Sequence, residues 1–420
     1  MKQGIKLFLN SLVKYKSHYS DSDRTYFHPR LTQKLIYDEF KKNNINWKVS
    51  RSFFISELNK FNVKIYVPKK DTCSTCDEVN AKLKSKLDEK TRIALKTADE
   101  NHKDRAKVAR ELLNGKTNES KNSDNKVLVF TFDLQRTLPL PYINTSVTFY
   151  KRQLWLYNLG INLRCKNKGF MFIWNESEGK RGSNEIMSCI YDFLMNSISL
   201  ANYEKIHTFS DGCAGQNRNK TMISFMSYIV ETTNISEWTH SFMESGHSFL
   251  PNDTDFGRIE RAKKRALNIF SPNEYKDLMI SCKFSVTPMV GKMFDFAQIQ
   301  EKFTFRKNNT DGDRFFISKV KWMRISKFSS KVLQYKLSNS LNEQAKNFDF
   351  SKRSGSSSMF SLNIEPLYAV PNKISCEKFK DLQDLMRFIP EVHQSFYKDL
   401  PHEARKNKDN TEMLPDIEEE

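Results

Sequence analysis

The stretch Val127-Leu-Val-Phe-Thr-Phe-Asp133 decides the fold of this 420-residue chain. A dense run of β-forming residues predicts a strand that is buried on both faces, and an aspartate stands at its end. The polar residues 115–126 before it have little to bury, so they predict a flexible linker. We therefore expect a new domain to begin close to residue 123.

Strand and helix patterns alternate downstream of Asp133. Three strands are predicted first, and helices then alternate with two further strands. This is the element order of a ribonuclease H-like sheet, so we predict an α/β fold with a five-stranded mixed sheet flanked by helices at residues 123–285. The later strands are predicted at 155–163, 169–174, 205–210 and 238–245, and the helices at 184–200, 219–230 and 253–268.

Three further regions flank this predicted core. Residues 1–70 carry two helical periodicities and predict either an ordinary helical hairpin or a helix-turn-helix, in which Lys48 and Arg51 would contact DNA phosphates. Residues 71–122 hold a Cys-x-x-Cys segment, a charged helix at 82–114 and the start of the linker. Residues 286–420 predict an α+β extension with a flexible connector at 351–358 and an acidic tail at 416–420.

The charge balance suggests the partner. With 68 Lys and Arg against 50 Asp and Glu, the formal net charge is +18, which attracts polyanions, so nucleic acid is the partner that we expect. The N-terminus lacks the features of a secretory signal, and no window approaches the roughly 20 apolar residues of a membrane span. Seven scattered cysteines favour a reducing compartment, the cytosol or the nucleus.

Acidic residues stand where two neighbouring strands of the predicted sheet end. Asp133 closes the first strand and Asp211 the fourth, so their carboxylates are expected within a few ångströms of each other. A pair of Mg²⁺ or Mn²⁺ ions would relieve their repulsion and activate a nucleophile against a phosphodiester. At the start of the last helix we prefer Asp255 as the third acid, with Asp253 next, and Glu185 is a fourth candidate. Each of the last three also suits a helix N-terminus, where acids are favoured without any metal.

Two groups of polar residues lie near these acids. Gln216, Asn217 and Arg218 follow Asp211 and are candidates to hold a phosphate backbone, although a plain strand-to-helix turn explains the segment equally well. His247 precedes Asp253 by six residues and is either a metal ligand, a proton shuttle or a structural histidine.

The pair Cys73 and Cys76 forms half of a zinc site. His102 is the best third ligand, and spacing offers no fourth. A redox role is less favoured because no thioredoxin-like pattern surrounds the pair.

The chain carries a series of distinctive motifs: KSHYS (16–20), PKKDTCSTCD (68–77), FDLQ (132–135), YKRQLWLYN (150–158), RGSNEI (181–186), SDGCAGQN (210–217), GHSFLPND (246–253), FIP (388–390) and YKDL (397–400). These motifs resemble those of an uncharacterised, transposon-derived and transposase-like family found in insects, cnidarians and fish. The resemblance spans nearly the whole chain and implies an integrase-type, ribonuclease H-like core. Asp133, Asp211, Asp253 and Asp255 all stand at motif positions, whereas Asn175 replaces a more usual Asp, which would weaken metal binding if that acid were a ligand.

The sequence therefore predicts a nuclear or cytoplasmic, metal-dependent enzyme that cleaves DNA phosphodiesters and transfers strands. Resemblance to transposases implies that it acts as a homo-oligomer, and the abrupt start suggests that an upstream segment is missing. Two alternatives remain at this point. One is a domesticated transposase that binds DNA or protein without catalysis, and the other is a zinc-stabilised adaptor built around Cys73 and Cys76.

Overall fold

The structure is a computed structural model that describes residues 2–16, 25–27, 31–61, 63–65, 73–122, 126–352 and 363–404. It divides into two compact units, Met1–Asp77 and Glu78–Glu420, and the division falls inside one helix, α4 (Ser74–Leu83). The predicted connector at 351–358 lies largely outside the described residues, and the acidic tail at 416–420 lies wholly outside them. Among the described helices, none has the length and apolar character needed to cross a membrane.

The first unit is mainly helical. The two helices expected from its apolar periodicity are present and are capped by Thr32 and Ser50, whose side chains accept backbone N–H groups. Their buried faces meet around Phe40 and Phe54, whose ring centroids are 4.9 Å apart. The elements of this unit are α1 (Lys2–Ser11), β1 (Lys14–Lys16), β2 (Thr25–Phe27), α2 (Gln33–Asn43), α3 (Arg51–Lys60) and β3 (Val63–Ile65).

The second unit has a mixed α/β fold built on a ten-stranded mixed sheet. All five strands predicted from the sequence are in it, but it has twice the predicted number. The strands of this unit are β4 (Val127–Leu134), β5 (Leu138–Leu140), β6 (Tyr142–Ile143), β7 (Leu154–Leu163), β8 (Lys168–Asn175), β9 (Lys205–Ser210), β10 (Glu237–Phe242), β11 (Asn268–Ile269), β12 (Ser285–Pro288), β13 (Trp322–Ser326), β14 (Val332–Lys336) and β15 (Lys346–Asp349).

The strand order is β12-β8-β7-β4-β9-β10-β13-β14-β15, with β5 paired to β7. β7 lies between β8 and β4 and is antiparallel to both, whereas β4, β9 and β10 run parallel. The strands β13 to β15 come from the predicted C-terminal extension, yet they continue the same sheet through β10. The extension therefore completes the sheet and does not form one of its own.

Helices cover both faces of the sheet. The two sets of β4 side chains show this, because neighbouring residues of a strand point to opposite faces. Leu128, Phe130 and Phe132 pack in the cluster that includes α6 and α7 residues, whereas Val127 and Val129 pack with α5. The helices of this unit are α5 (Glu89–Ser120), α6 (Ser183–Asp192), α7 (Lys220–Thr232), α8 (Pro251–Arg265), α9 (Pro272–Ser281), α10 (Ala297–Gln300), α11 (Cys376–Leu385) and α12 (Glu391–Lys398).

One prediction about the linker is wrong. The segment that follows Gly115 is helical as far as Ser120, because α5 runs on through it, and Thr117 and Ser120 are buried. Tertiary packing explains the difference, since α5 lies against β4 and buries Ala109 and Leu113 there. That burial outweighs the cost of about 1 kcal/mol for a glycine inside a helix. The charged helix also begins later than predicted, at Glu89, where Asp88 provides the N-cap.

Candidate functional site: an acidic cluster at the end of β4

The parallel pairing of β4 with β9 brings two of the predicted acids together. Val127 pairs with Lys205 and Thr131 with Phe209, and the same register carried on by two residues sets Asp133 beside Asp211. Asp133 is the penultimate residue of β4, and Asp211 directly follows β9. Both carboxylates therefore stand at the carboxyl edge of the sheet, as the sequence predicted.

Helix α8 reaches the same edge through one buried asparagine. Asn252 accepts a hydrogen bond from the Thr131 hydroxyl at 2.6 Å and donates to the Gly160 carbonyl of β7 at 2.7 Å. Thr131 and Asp133 point to the same face of β4, since they are two residues apart. The first turn of α8 is thus tied to two strands beside Asp133, and Asp253 is the next residue in that turn.

The pKa of Asp133 depends on two of the other predicted acids. The pKa of Asp133 is raised to about 8 by burial first, and then by the nearby carboxylates of Asp211 and Asp253. Burial disfavours the charged form of a carboxyl group, and like charges disfavour it further. Asp211 and Asp253 are therefore the two predicted acids whose charges act on Asp133.

Asp211 is held by its own turn. Its Oδ1 accepts from the Asn217 side chain at 2.9 Å and from the backbone N–H of Cys213 at 3.4 Å. Asn217 is 3% exposed, so it is an internal partner of the carboxylate and does not reach outward to a phosphate. Beside this turn lies a cavity of about 310 Å³ lined by Asp211, Gly212, Cys213, Met243, Glu244, Ser245, Gly246 and Ser248.

Asp255, the preferred third acid, has different contacts from Asp253. It is buried, accepts a hydrogen bond from Asn162 at 2.7 Å, and lies 3.7 Å from the Arg258 guanidinium. Side chains two residues apart on a helix point about 200° away from each other, so Asp253 and Asp255 cannot both face the same carboxylates. Of the two, it is Asp253 that contributes to the raised pKa of Asp133.

Glu185 stabilises the N-terminus of its own helix, α6. Its carboxylate accepts the backbone N–H groups of Lys180 and Gly182, at 2.9 and 3.0 Å, and the hydroxyl of Tyr368. These are the bonds of an acid that caps a helix N-terminus, the alternative noted from sequence. Asn175, where an acid would be more usual, accepts from the backbone and hydroxyl of Ser177 in a local turn.

The residues predicted to contact nucleic acid differ in their exposure and in their contacts. Arg218 packs over Phe242, with 4.6 Å from its guanidinium carbon to the ring centroid, and donates to the Ser318 carbonyl at 2.9 Å. Burial lowers the pKa of Arg218, while the carboxylates of Asp211 and Glu244 act in the opposite direction. Gln216 is partly exposed beside it, and Lys48 and Arg51 are exposed in the first unit.

Comparison with known proteins covers part of this site. Residues 151–339 match the model of a domain of unknown function, DUF7869. The match includes Asp211 and Asp253 and begins after Asp133. No curated protein and no solved structure matches the chain.

A second group of side chains in the structure can bind a metal ion. One ligand atom from each of Cys73, Cys76, His102 and His247 lies within 4.8 Å of the others. The first three are buried and His247 is partly buried. The structure thus brings the predicted Cys73, Cys76 and His102 together and adds His247, which the sequence had suggested only for the acidic site.

Sequence reasoning missed Asn252 and assigned Asn217 to a phosphate, whereas both amides lie beside the acids. Asn252 and Asn217 are buried amides whose partners, Thr131 with Gly160 and Asp211, become visible only when strands and helices are assembled. The sequence signal that could have identified them is their proximity to the acids, since Asn217 follows Asp211 by six residues and Asn252 directly precedes Asp253. Asn217 thus orients the Asp211 carboxylate, and Asn252 anchors the first turn of α8 beside Asp133.

Proposed function

We propose that this chain is a transposase-like nuclease with a ribonuclease H-like core, which cleaves DNA phosphodiesters with Mg²⁺ or Mn²⁺ held by Asp133, Asp211 and Asp253. The observation that carries the proposal is the parallel register of β4 and β9, which sets Asp133 beside Asp211. The charges of Asp211 and Asp253 accordingly help to raise the pKa of Asp133 to about 8. Like carboxylates held close together destabilise the metal-free protein, and functional sites are where such arrangements concentrate.

The strand order supports the ribonuclease H-like part of the proposal. Within the larger sheet, β8-β7-β4-β9-β10 is an order of third, second, first, fourth and fifth strands in the core. β7 is antiparallel to both β4 and β8, and β9 and β10 are parallel to β4. In this proposal Asp133 and Asp211 lie on the central pair of strands, and α8 supplies Asp253.

The chemistry would follow from the carboxylates. A pair of divalent ions activates a water or a 3′-hydroxyl for attack on phosphorus and stabilises the oxygen that leaves as the old P–O bond breaks. Asp133 and Asp211 would hold these ions from neighbouring strands, Asp253 from the helix. Asn217 would keep the Asp211 carboxylate oriented, and the Asn252 contacts would keep α8 in place.

The test is divalent-dependent nicking of supercoiled DNA by the full chain. We expect nicking by the wild type with Mg²⁺ or Mn²⁺, none with Ca²⁺ or chelator, and none by Asp133→Asn, Asp211→Asn or Asp253→Asn. Equal nicking by the wild type and Asp133→Asn would overturn the proposal.

Asp255→Asn is the matched control, because it makes the same change two residues farther along α8. We expect it to retain nicking, since Asp255 is engaged with Asn162 and Arg258. Loss of nicking in Asp255→Asn together with full activity in Asp253→Asn would exchange the two assignments.

DNA is the substrate that we propose because of the excess of cations, with a formal net charge of +18. A nuclear location and a homo-oligomeric state belong to the same proposal. If the chain binds DNA with strong salt dependence but never nicks it, the domesticated, non-catalytic alternative replaces the enzyme.

The cluster of Cys73, Cys76, His102 and His247 takes a different ion in this proposal. Two thiolates and two imidazoles are the ligand set of a structural Zn²⁺, whereas Mg²⁺ and Mn²⁺ prefer oxygen. We therefore propose two kinds of metal in one chain, with the zinc outside the chemistry.

A further inference from the structure

We infer that Cys73, Cys76, His102 and His247 bind one Zn²⁺ as a closed four-ligand site, and that this ion fixes the loop between β10 and α8. That loop, 243–250, leads directly from the cavity beside Asp211 to the turn that carries Asp253. The consequence for catalysis rests on the proposed function, whereas the zinc site and the fixed loop do not.

The first step is the geometry of the four ligands. In a tetrahedral zinc site with Zn–S near 2.3 Å and Zn–N near 2.0–2.1 Å, ligand atoms are separated by roughly 3.3–3.8 Å. The four candidate atoms already lie within 4.8 Å of one another, so shifts of about an ångström complete the site. Two thiolates also neutralise the charge of one Zn²⁺, which suits a site whose cysteines are only 8% exposed.

The second step is the partner of His102. A zinc-bound histidine commonly donates its other ring N–H to a carboxylate, which fixes the ring and its tautomer. The Nδ1 of His102 lies 3.1 Å from Oε1 of Glu244, so Nε2 is the ring atom that we assign to the ion. Glu244 is itself 8% exposed and accepts from Lys321 Nζ at 2.7 Å, so the carboxylate is held in place.

The third step is the strain in the loop. Gly246 and Phe249 have φ values of 74° and 37°, on either side of His247. Positive φ is costly for an aromatic residue and persists where surrounding contacts enforce it. The Phe249 ring contacts the guanidinium of Arg110 at 5.2 Å and the His247 ring at 6.0 Å between centroids, so coordination of His247 would hold one of these partners in place.

The fourth step links the loop to the acids. Met243 donates its backbone N–H to the Ser210 carbonyl at 2.9 Å, one residue before Asp211. At its other end the loop enters α8 at Pro251, two residues before Asp253. An ion bound to His247, in the middle of this loop, would therefore limit the movement of the loop at both ends, beside Asp211 and beside Asp253. Asn252 additionally anchors the end at α8.

The experiment measures metal content and loop protection in the full chain. We expect one zinc per chain after purification and desalting, measured by inductively coupled plasma mass spectrometry. Cys73→Ser and His247→Ala should lose it, whereas Cys165→Ser and His393→Ala, which change a thiol and an imidazole elsewhere in the second unit, should keep it. The site is overturned if the wild type contains no zinc. It is also overturned if the His247→Ala variant retains its zinc against a chelator as well as the wild type does.

A cobalt-substituted wild type keeps the site testable if the variants do not fold. Co²⁺ bound by two thiolates and two imidazoles gives intense visible bands and a sulfur charge-transfer band, whereas octahedral Co²⁺ bound by oxygen is nearly colourless. Only the first spectrum is compatible with the proposed ligands.

Hydrogen exchange tests the role of the ion. We expect chelation to increase exchange at least tenfold in residues 243–250 and to leave α9 unchanged. If chelation leaves exchange in the loop unchanged, the proposed role of the ion in fixing the loop is overturned, even if the wild type binds zinc. Neither readout uses cleavage, so failure of the chain to nick DNA would remove the proposed function and leave this inference intact.

Discussion

At the scale of single residues, burial and two nearby carboxylates make the charged form of Asp133 costly in the folded protein. Its pKa is raised to about 8 by burial and by Asp211 and Asp253, so the folded metal-free chain holds a proton that the unfolded chain releases near pH 4. Stability is therefore greatest below pH 4 as far as this group is concerned, and is lost as the pH rises towards 8.

Asp133→Asn should stabilise the metal-free protein at pH 8 by at least about 1 kcal/mol, and should have little effect near pH 4. The reason is that asparagine cannot be charged and so removes both the burial cost and the repulsion. Urea denaturation at the two pH values in the presence of chelator measures the difference. Asp104→Asn, an exposed change on α5, is the control, and a destabilised Asp133→Asn at pH 8 would contradict the account.

Asn217→Ala should lower the affinity for Mn²⁺ by about 10- to 100-fold, as expected for loss of a partner that orients a metal ligand. The lost contact is the 2.9 Å hydrogen bond to Asp211. Calorimetric titration with Mn²⁺ measures it, and Asn144→Ala, which changes an amide near β6, provides the comparison. Wild-type affinity in Asn217→Ala would show that Asp211 needs no such support.

At the scale of elements, two glycines have opposite surroundings. A side-chain carbon at Gly115 of α5 would meet nothing within 4 Å, whereas one at Gly160 of β7 would lie 2.6 Å from the Phe256 ring of α8. Gly160 therefore allows the close approach of α8 to the sheet, and Gly115 is a weak point in an otherwise continuous helix.

Gly115→Ala should stabilise the chain by about 0.4–1 kcal/mol, because alanine restricts the unfolded state and suits a helix. Gly160→Ala should destabilise it by about 1–3 kcal/mol, because α8 would have to move away from β7. Thermal unfolding of the two variants checks both signs. A neutral or destabilising Gly115→Ala would mean that residues after 115 are not helical.

The elements also show what the sequence could predict. The five central strands and three helices after residue 126 follow from local patterns, because each buries a continuous apolar run or stripe. Helix α5 beyond Gly115 does not, since its burial of Thr117 and Ser120 depends on the sheet. The choice between Asp253 and Asp255 is limited for a related reason. Both suit a first helical turn, and only the assembled structure shows that it is Asp253 whose charge acts on the pKa of Asp133.

At the scale of the whole molecule, the positive charge should dominate nucleic-acid binding. We expect affinity for duplex DNA to fall at least about tenfold between roughly 50 and 200 mM salt, because bound counterions are released when phosphates are contacted. Asp133→Asn and Asp253→Asn should bind DNA at least as tightly as the wild type, since each removes a negative charge. Fluorescence anisotropy across salt concentrations measures this, and salt-independent binding would contradict it.

The most direct test of the acidic site is anomalous diffraction from crystals of the full chain soaked in Mn²⁺. The account predicts anomalous density among the carboxylates of Asp133, Asp211 and Asp253, and its loss in Asp133→Asn crystals. Density at Asp255 instead, or none at the three acids at saturating Mn²⁺, would contradict it.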